Sequence, residues 1–165
     1  MLKNFFEKYF NNILYIQLSS SSLRVIDVHS GLEFHQHPFI AIEKSNNDKF
    51  VVKAIGVEAQ ALIGVVGVEV ENPFLHPRQL IANFQKAEKI MQHAVHIACG
   101  KKLFSPSPRI VLQPMEKLEG GLTEIEIRAF RELCLGAGAR EVVIYVGSPL
   151  STHGFSFEEV KRQGL

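Results

Sequence analysis

The hydrophobic period of this 165-residue chain changes once, near Pro77, and that change constrains the fold more than any other feature. Before it lie short runs of β type at 13–18, 23–28, 32–42 and 50–55, separated by the polar clusters Ser19-Ser20-Ser21-Ser22, His29-Ser30-Gly31 and Ser45-Asn46-Asn47-Asp48. Runs of that length between turn residues read as a hairpin and meander, with the third strand bent or broken near Pro38, which has no N–H to give a ladder. A short helix is expected over 58–62, then a β-branched run over 65–70.

After Pro77 the period becomes helical. Leu80, Ile81, Phe84, Ala87, Ile90, Met91, Ala94, Val95 and Ala98 form one apolar stripe, so a helix is predicted over 78–98 with Gly100 just past its end. Ile110 to Leu112 is a strand that Pro114 ends. Thr123-x-x-Glu126 is a capping box opening a second helix that stops at Gly136-Ala137-Gly138. The last predicted strand covers 141–146. Antiparallel pairing first and a helix–strand–helix–strand unit afterwards imply an α/β fold, a mixed sheet with packed helices.

Composition excludes several classes. Apolar residues are 46% and charged residues 21%, with a formal net charge of +1, so neither disorder nor binding by phosphate neutralisation is expected, and nucleic acid is not an expected partner. No window reaches the roughly 18 apolar residues of a membrane span, and no signal peptide is read. Two cysteines, Cys99 and Cys134, make no disulfide framework, which points to a cytoplasmic chain.

The first twelve residues form a separate segment. Leu2, Phe5, Phe6, Tyr9 and Phe10 fall on one helical stripe, with Lys3, Glu7 and Lys8 on the other side. Such a stripe suits either the membrane interface or a protein surface, and both readings stay open.

No catalytic constellation emerges. The serine turn follows a strand, as phosphate cradles do, but it contains no glycine to let a phosphate approach the backbone. His35 with His37, and His93 with His96, could each begin a metal site, yet no His-Glu-x-x-His completes either, so no metal is expected. Cys99 and Cys134 lie on apolar helical stretches as small hydrophobes. Glu124, Glu126 and Glu132 read as cap and solvated-face residues.

Several segments together resemble the N-terminal half of the MreB-type, rod shape-determining bacterial actins. They are Arg128-Ala129-Phe130-Arg131-Glu132 with Gly136-Ala137-Gly138-Ala139-Arg140-Glu141-Val142; Ser105-Pro106-Ser107-Pro108-Arg109-Ile110-Val111; Ile81-Ala82-Asn83-Phe84 with Glu88-Lys89-Ile90-Met91-Gln92-His93; and Tyr15-Ile16-Gln17-Leu18-Ser19-Ser20. The resemblance spans about 14–154 and implies an actin-like (ribonuclease H-like) half as a single domain over 13–165, with the family's second half absent. It also implies cell-shape and cytoskeletal work, self-association or docking on a full-length actin-like or envelope protein, and an amphipathic N-terminus at the inner membrane.

The family's ligand is ATP with Mg²⁺. Its first phosphate loop reads Asp-x-Gly-Thr, where this chain has Gln17, Ser19, Ser20 and then Ser21. Its Glu-Glu-Pro, which serves water activation, is replaced by Val146-Gly147-Ser148-Pro149. The resemblance with these departures implies a pseudo-ATPase without cofactor or catalytic residue, a truncated, non-catalytic interaction module. Two alternatives stand beside it: a cytoskeletal subunit that binds ATP weakly and polymerises, and a small enzyme with an unrecognised site.

Overall fold

The structure is a computed structural model that describes residues 12–45, 49–100 and 106–165. The stripe Leu2, Phe5, Phe6, Tyr9 and Phe10 lies outside the described residues. Eight strands and four helices are described. They are β1 (Ile13–Leu18), β2 (Leu23–Asp27), β3 (Glu33–Gln36), β4 (Ile40–Lys44), β5 (Phe50–Ile55), α1 (Val57–Gln60), β6 (Glu69–Glu71), α2 (Phe84–Cys99), β7 (Arg109–Pro114), α3 (Glu124–Gly136), β8 (Glu141–Ile144) and α4 (Phe157–Gln163).

The strands form two sheets where the sequence suggested one. A five-stranded mixed sheet has the order β3-β2-β1-β7-β8, and a three-stranded antiparallel sheet has the order β5-β4-β6. β1 pairs in parallel with β7, and β7 with β8, as the helix–strand–helix–strand pattern requires. The single run expected over 32–42 divides at His37-Pro38: β3 stays on the first sheet and β4 opens the second.

β1 and β7 are central strands buried on both faces, hence their nearly continuous apolar sequence. Their side chains alternate. Leu14, Ile16 and Leu18 join Ile110 and Leu112 in the main core, under α2 and α3. Ile13, Tyr15 and Val111 point the other way and join Val143, Phe157 and Val160 in a second cluster. Ile40 and Ile42 of β4 tie the small sheet into the main core.

Three boundaries differ from expectation for local reasons. α2 starts at Phe84, because the Asn83 side chain caps it by accepting from the Lys86 N–H; Leu80 is buried ahead of the helix. The run 65–70 pairs only at Glu69–Glu71. Gly64 (φ 85°) and Gly67 (φ 81°) turn the chain, leaving Val66 98% exposed. α4 was not anticipated, although Ser156 caps it by accepting from the Glu159 N–H, and Phe157 and Val160 supply its buried face. The capping box at Thr123 and Glu126 is present as read.

Candidate functional site

The C-terminal ends of the parallel strands β1, β7 and β8 lie side by side, and in open α/β sheets ligands bind outside those ends. Three loops meet there: the serine turn after Leu18, the segment Met115–Thr123 after β7, and the segment Tyr145–Leu150 after β8. The Met115 N–H donates to the Leu18 carbonyl (2.8 Å), holding the first two together.

The serine turn is bonded within itself and to four neighbours. Inside it, the Ser19 N–H donates to the Ser22 carbonyl (2.9 Å), and the Ser22 N–H to Ser19 Oγ (2.9 Å). Ser19 Oγ and Ser21 Oγ lie 3.3 Å apart. From outside, the Ser20 N–H donates to Glu116 Oε1 (2.7 Å), and Asn72 Nδ2 donates to the Ser20 carbonyl (2.6 Å). His37 Nδ1 meets the Ser21 carbonyl, and Ser22 Oγ meets His35 Nε2 at 3.1 Å. Glu116 and Asn72 were invisible to motif reading, because each acts across roughly fifty to a hundred residues of chain.

Gln17, one residue before the end of β1, lies opposite Arg24 on β2 and Gln113 on β7. Its side-chain amide faces Met115 Sδ at 3.9 Å. With Ser19, Ser22, Arg24, His35 and Met115 it lines a groove of about 310 Å³. Arg24 is engaged by Glu33 at 3.0 Å.

Next to Gln17 a neutral network closes the strand ends. Tyr15 Oη donates to Gln113 Oε1, Gln113 Nε2 donates to the Gly147 carbonyl (2.6 Å), and the Leu150 N–H donates to Tyr15 Oη (3.1 Å). Burial raises the Tyr15 phenol above its ordinary value, keeping it protonated. A Cβ on Gly147 would meet Tyr145 Oη at 2.5 Å, so the loop after β8 lies close against that ring. Val146 is exposed.

The remaining candidates lie elsewhere. His93 stacks edge-on against Phe34 (5.8 Å), and partial desolvation lowers its pKa. Among the described residues no group of three or more His, Cys, Asp or Glu is placed to hold a metal. Cys134 is fully buried on α3, with its thiol pushed up by desolvation, and Cys99 Sγ accepts from Asn12 Nδ2 at 3.3 Å. Among the described residues no helix is long and apolar enough to cross a membrane.

A five-stranded mixed sheet flanked by helices, with a small antiparallel sheet inserted between β3 and α2, is an actin-like α/β half. The solved structures agree. MreB5 of Spiroplasma citri bound to ADP superposes with a TM-score of 0.62 at 18% identity, over 82% of this chain and 38% of that one. The MamK double helical filament gives 0.58 at 15% identity, over 84% and 42%.

The model of the MreB/Mbl protein family matches residues 11–154, and the chain belongs to that family. It is 31% identical over 147 residues to the cell shape-determining protein MreB of Escherichia coli K12, covering 87% of this chain and 40% of that protein. It is also 41% identical over 69 residues to the uncharacterized protein YjaA of the same strain, covering 39% of this chain and 54% of YjaA. The chain thus spans 40% of the length of the MreB relative. It is an MreB-like actin homologue.

Proposed function

We propose that this chain works in cell-shape assemblies as a non-catalytic, actin-like interaction module that binds proteins and does not hydrolyse nucleotide. Its partners in this reading are a second copy or a full-length actin-like or envelope protein, at the cytoplasmic face of the inner membrane. The N-terminal stripe Leu2, Phe5, Phe6, Tyr9 and Phe10 supplies one docking surface, to lipid or to protein.

The observation that carries the reading is the internally bonded state of the strand ends, with a neutral amide at Gln17. Mg²⁺ prefers anionic oxygen ligands, and Gln17 offers a neutral amide turned toward Met115 Sδ. In the loop after β8, Val146 and Gly147 carry no carboxylate. The Ser20 N–H is already given to Glu116, whose charge opposes an incoming phosphate. The residues present therefore do not fit a Mg-nucleotide. The filament formed by MamK supports self-association as a mode of action.

Thermal unfolding with and without Mg-ATP, a hydrolysis assay, and co-sedimentation with a full-length MreB test the proposal together. No stabilisation, no turnover and joint pelleting are expected. Stabilisation approaching the ~2.7 kcal/mol of a ligand at 100 times its Kd, or Mg²⁺-dependent turnover lost in Ser20→Ala, would replace the module with an ATP-binding subunit.

A further inference from the structure

We propose that residues 1–11 fold back onto their own domain and cover the β3 edge of the five-stranded sheet, from Leu32 and Ile97 to Val57. This cover rests on the reading of the N-terminal stripe as a docking surface and gives that surface its occupant.

β3 is the outermost strand of its sheet, and sheet edges are commonly covered by a helix or loop. α2 lies alongside it. By their spacing, His93, Ile97 and Gly100 share one side of α2 and its cap. His93 meets Phe34 of β3 edge-on at 5.8 Å. Leu32, just before β3, lies against Gly100, its Cδ1 3.0 Å from where a Cβ would stand. Ile97 sits between these two contacts, yet it is 41% exposed, and Leu32 is 48% exposed. At the other end of β3 the Val57 N–H donates to Gln36 Oε1 at 3.0 Å, which sets Val57, 60% exposed, beside the end of the strand. Glu58 follows, close enough to act on the His93 charge. The edge is thus an apolar ledge with a carboxylate at its far end.

Residues 1–11 match this ledge in place, length and charge. Asn12 Nδ2 donates to Cys99 Sγ at 3.3 Å, so the chain enters β1 against the last turn of α2, next to Ile97. From Leu32 to Gln36 the ledge runs about 13 Å at the rise of a strand. The helical stripe from Leu2 to Phe10 runs about 12 Å. Tyr9 and Phe10 then fall against Ile97 and Leu32, Leu2 and Phe5 against Val57, and Lys3 beside Glu58. A segment tethered this close acts at an effective concentration on the order of millimolar or above. A second copy or a lipid surface has no such advantage.

Cys99 supplies the readout, because it is half-buried at the tether while Cys134, the only other cysteine, is fully buried. Its reaction with Ellman's reagent under native conditions is compared in the full chain for wild type, the double variant Phe5→Ser, Phe10→Ser, and Val57→Ser. In the double variant Cys99 should react at least about tenfold faster than in wild type, the factor that ~1.4 kcal/mol of docking supplies. Val57→Ser, which trims the far end of the ledge, should fall between the two. Cys134 staying unreactive establishes that each variant keeps its fold. In the wild-type monomer a zero-length carbodiimide crosslink should join Lys3 to Glu58, and Cys99 protection should not change on dilution. Wild-type Cys99 reacting as fast as that of the double variant overturns the self-docked cover. Co-sedimentation of wild type, and not of the double variant, with phosphatidylglycerol vesicles then assigns the stripe to lipid. Protection that is lost on dilution overturns the cover in favour of a second copy. Neither result touches the non-catalytic reading, which the hydrolysis assay decides.

Discussion

The two faces of the five-stranded sheet are covered by different means. On one, α2 and α3 lay down full amphipathic stripes: Ala87, Ile90, Met91, Ala94 and Val95 from α2, Phe130 and Leu133 from α3. On the other, a seven-residue helix and its lead-in loop do the covering, with Phe157 and Val160. Polar contacts supplement them: Arg109 pairs with Glu158 (2.8 Å) and stacks over the Phe157 ring (4.4 Å), and Lys161 pairs with Glu141. Apolar area dominates the first face, whereas the second depends on a few anchors. Stability should therefore be uneven, with the second face opening first.

The largest effect expected is on the first face. Phe130→Ala removes a ring that is 2% exposed, between α3 and the sheet, and should cost about 3–5 kcal/mol in urea unfolding. Phe157→Ala on the second face should cost less, about 2 kcal/mol, because α4 can detach without unfolding the sheet. Hydrogen exchange should show α4 losing protection while α2 keeps it. Equal costs from the two substitutions would break the contrast between the faces.

Tyr15→Phe sharpens it, since the ring stays and only the hydroxyl linking Gln113 to Leu150 goes. A loss of about 1–2 kcal/mol is expected for a buried amide left without its partner, with faster exchange confined to the loop after β8. Back on the first face, Thr123→Ala removes the capping box of α3 and should cost about 1 kcal/mol. A loss no larger than that of an exposed Ser→Ala change would mean that α3 is held by packing alone.

The smallest effect is the pH dependence of His93. Its folded pKa lies below the ordinary 6.5, so the unfolded chain binds more protons, and stability present above 6.5 declines as pH falls through the folded value. Comparing wild type with His93→Gln between pH 7.5 and 5.5 should give a shallower decline in the variant. An identical slope would mean that desolvation of His93 does not bias the proton.

Local chemistry explains which parts were legible beforehand. The stripe of α2 from Ala87 to Ala98, the Thr123 capping box and the break at Pro38 each depend on residues within a turn or two, and each lies where the periodicity placed it. The family was legible for a related reason, because segments such as Gly136-Ala137-Gly138-Ala139-Arg140-Glu141 carry turn and strand together. The start at Phe84 is hidden in the sequence, because Leu80 and Ile81 continue the stripe while their backbone belongs to the loop. α4 is short, and its Ser156 cap and the i, i+3 pair Phe157 and Val160 make a weak local signal.

For the candidate site, Gln17, Ser19, Ser20 and Ser21 could be singled out from the sequence, but their partners could not. The alternation of β1, the helical stripes and the caps were set by the sequence, since these depend on neighbouring residues. Tertiary structure alone decided that Glu116 meets Ser20 across 96 residues, that Asn72 meets Ser20 across 52, and that Tyr15 meets Leu150 across 135. The reason is physical: a hydrogen bond across such separations exists only once the sheet register has brought β1, β7 and β8 side by side. Register is the summed outcome of packing on both faces, and no single segment encodes it.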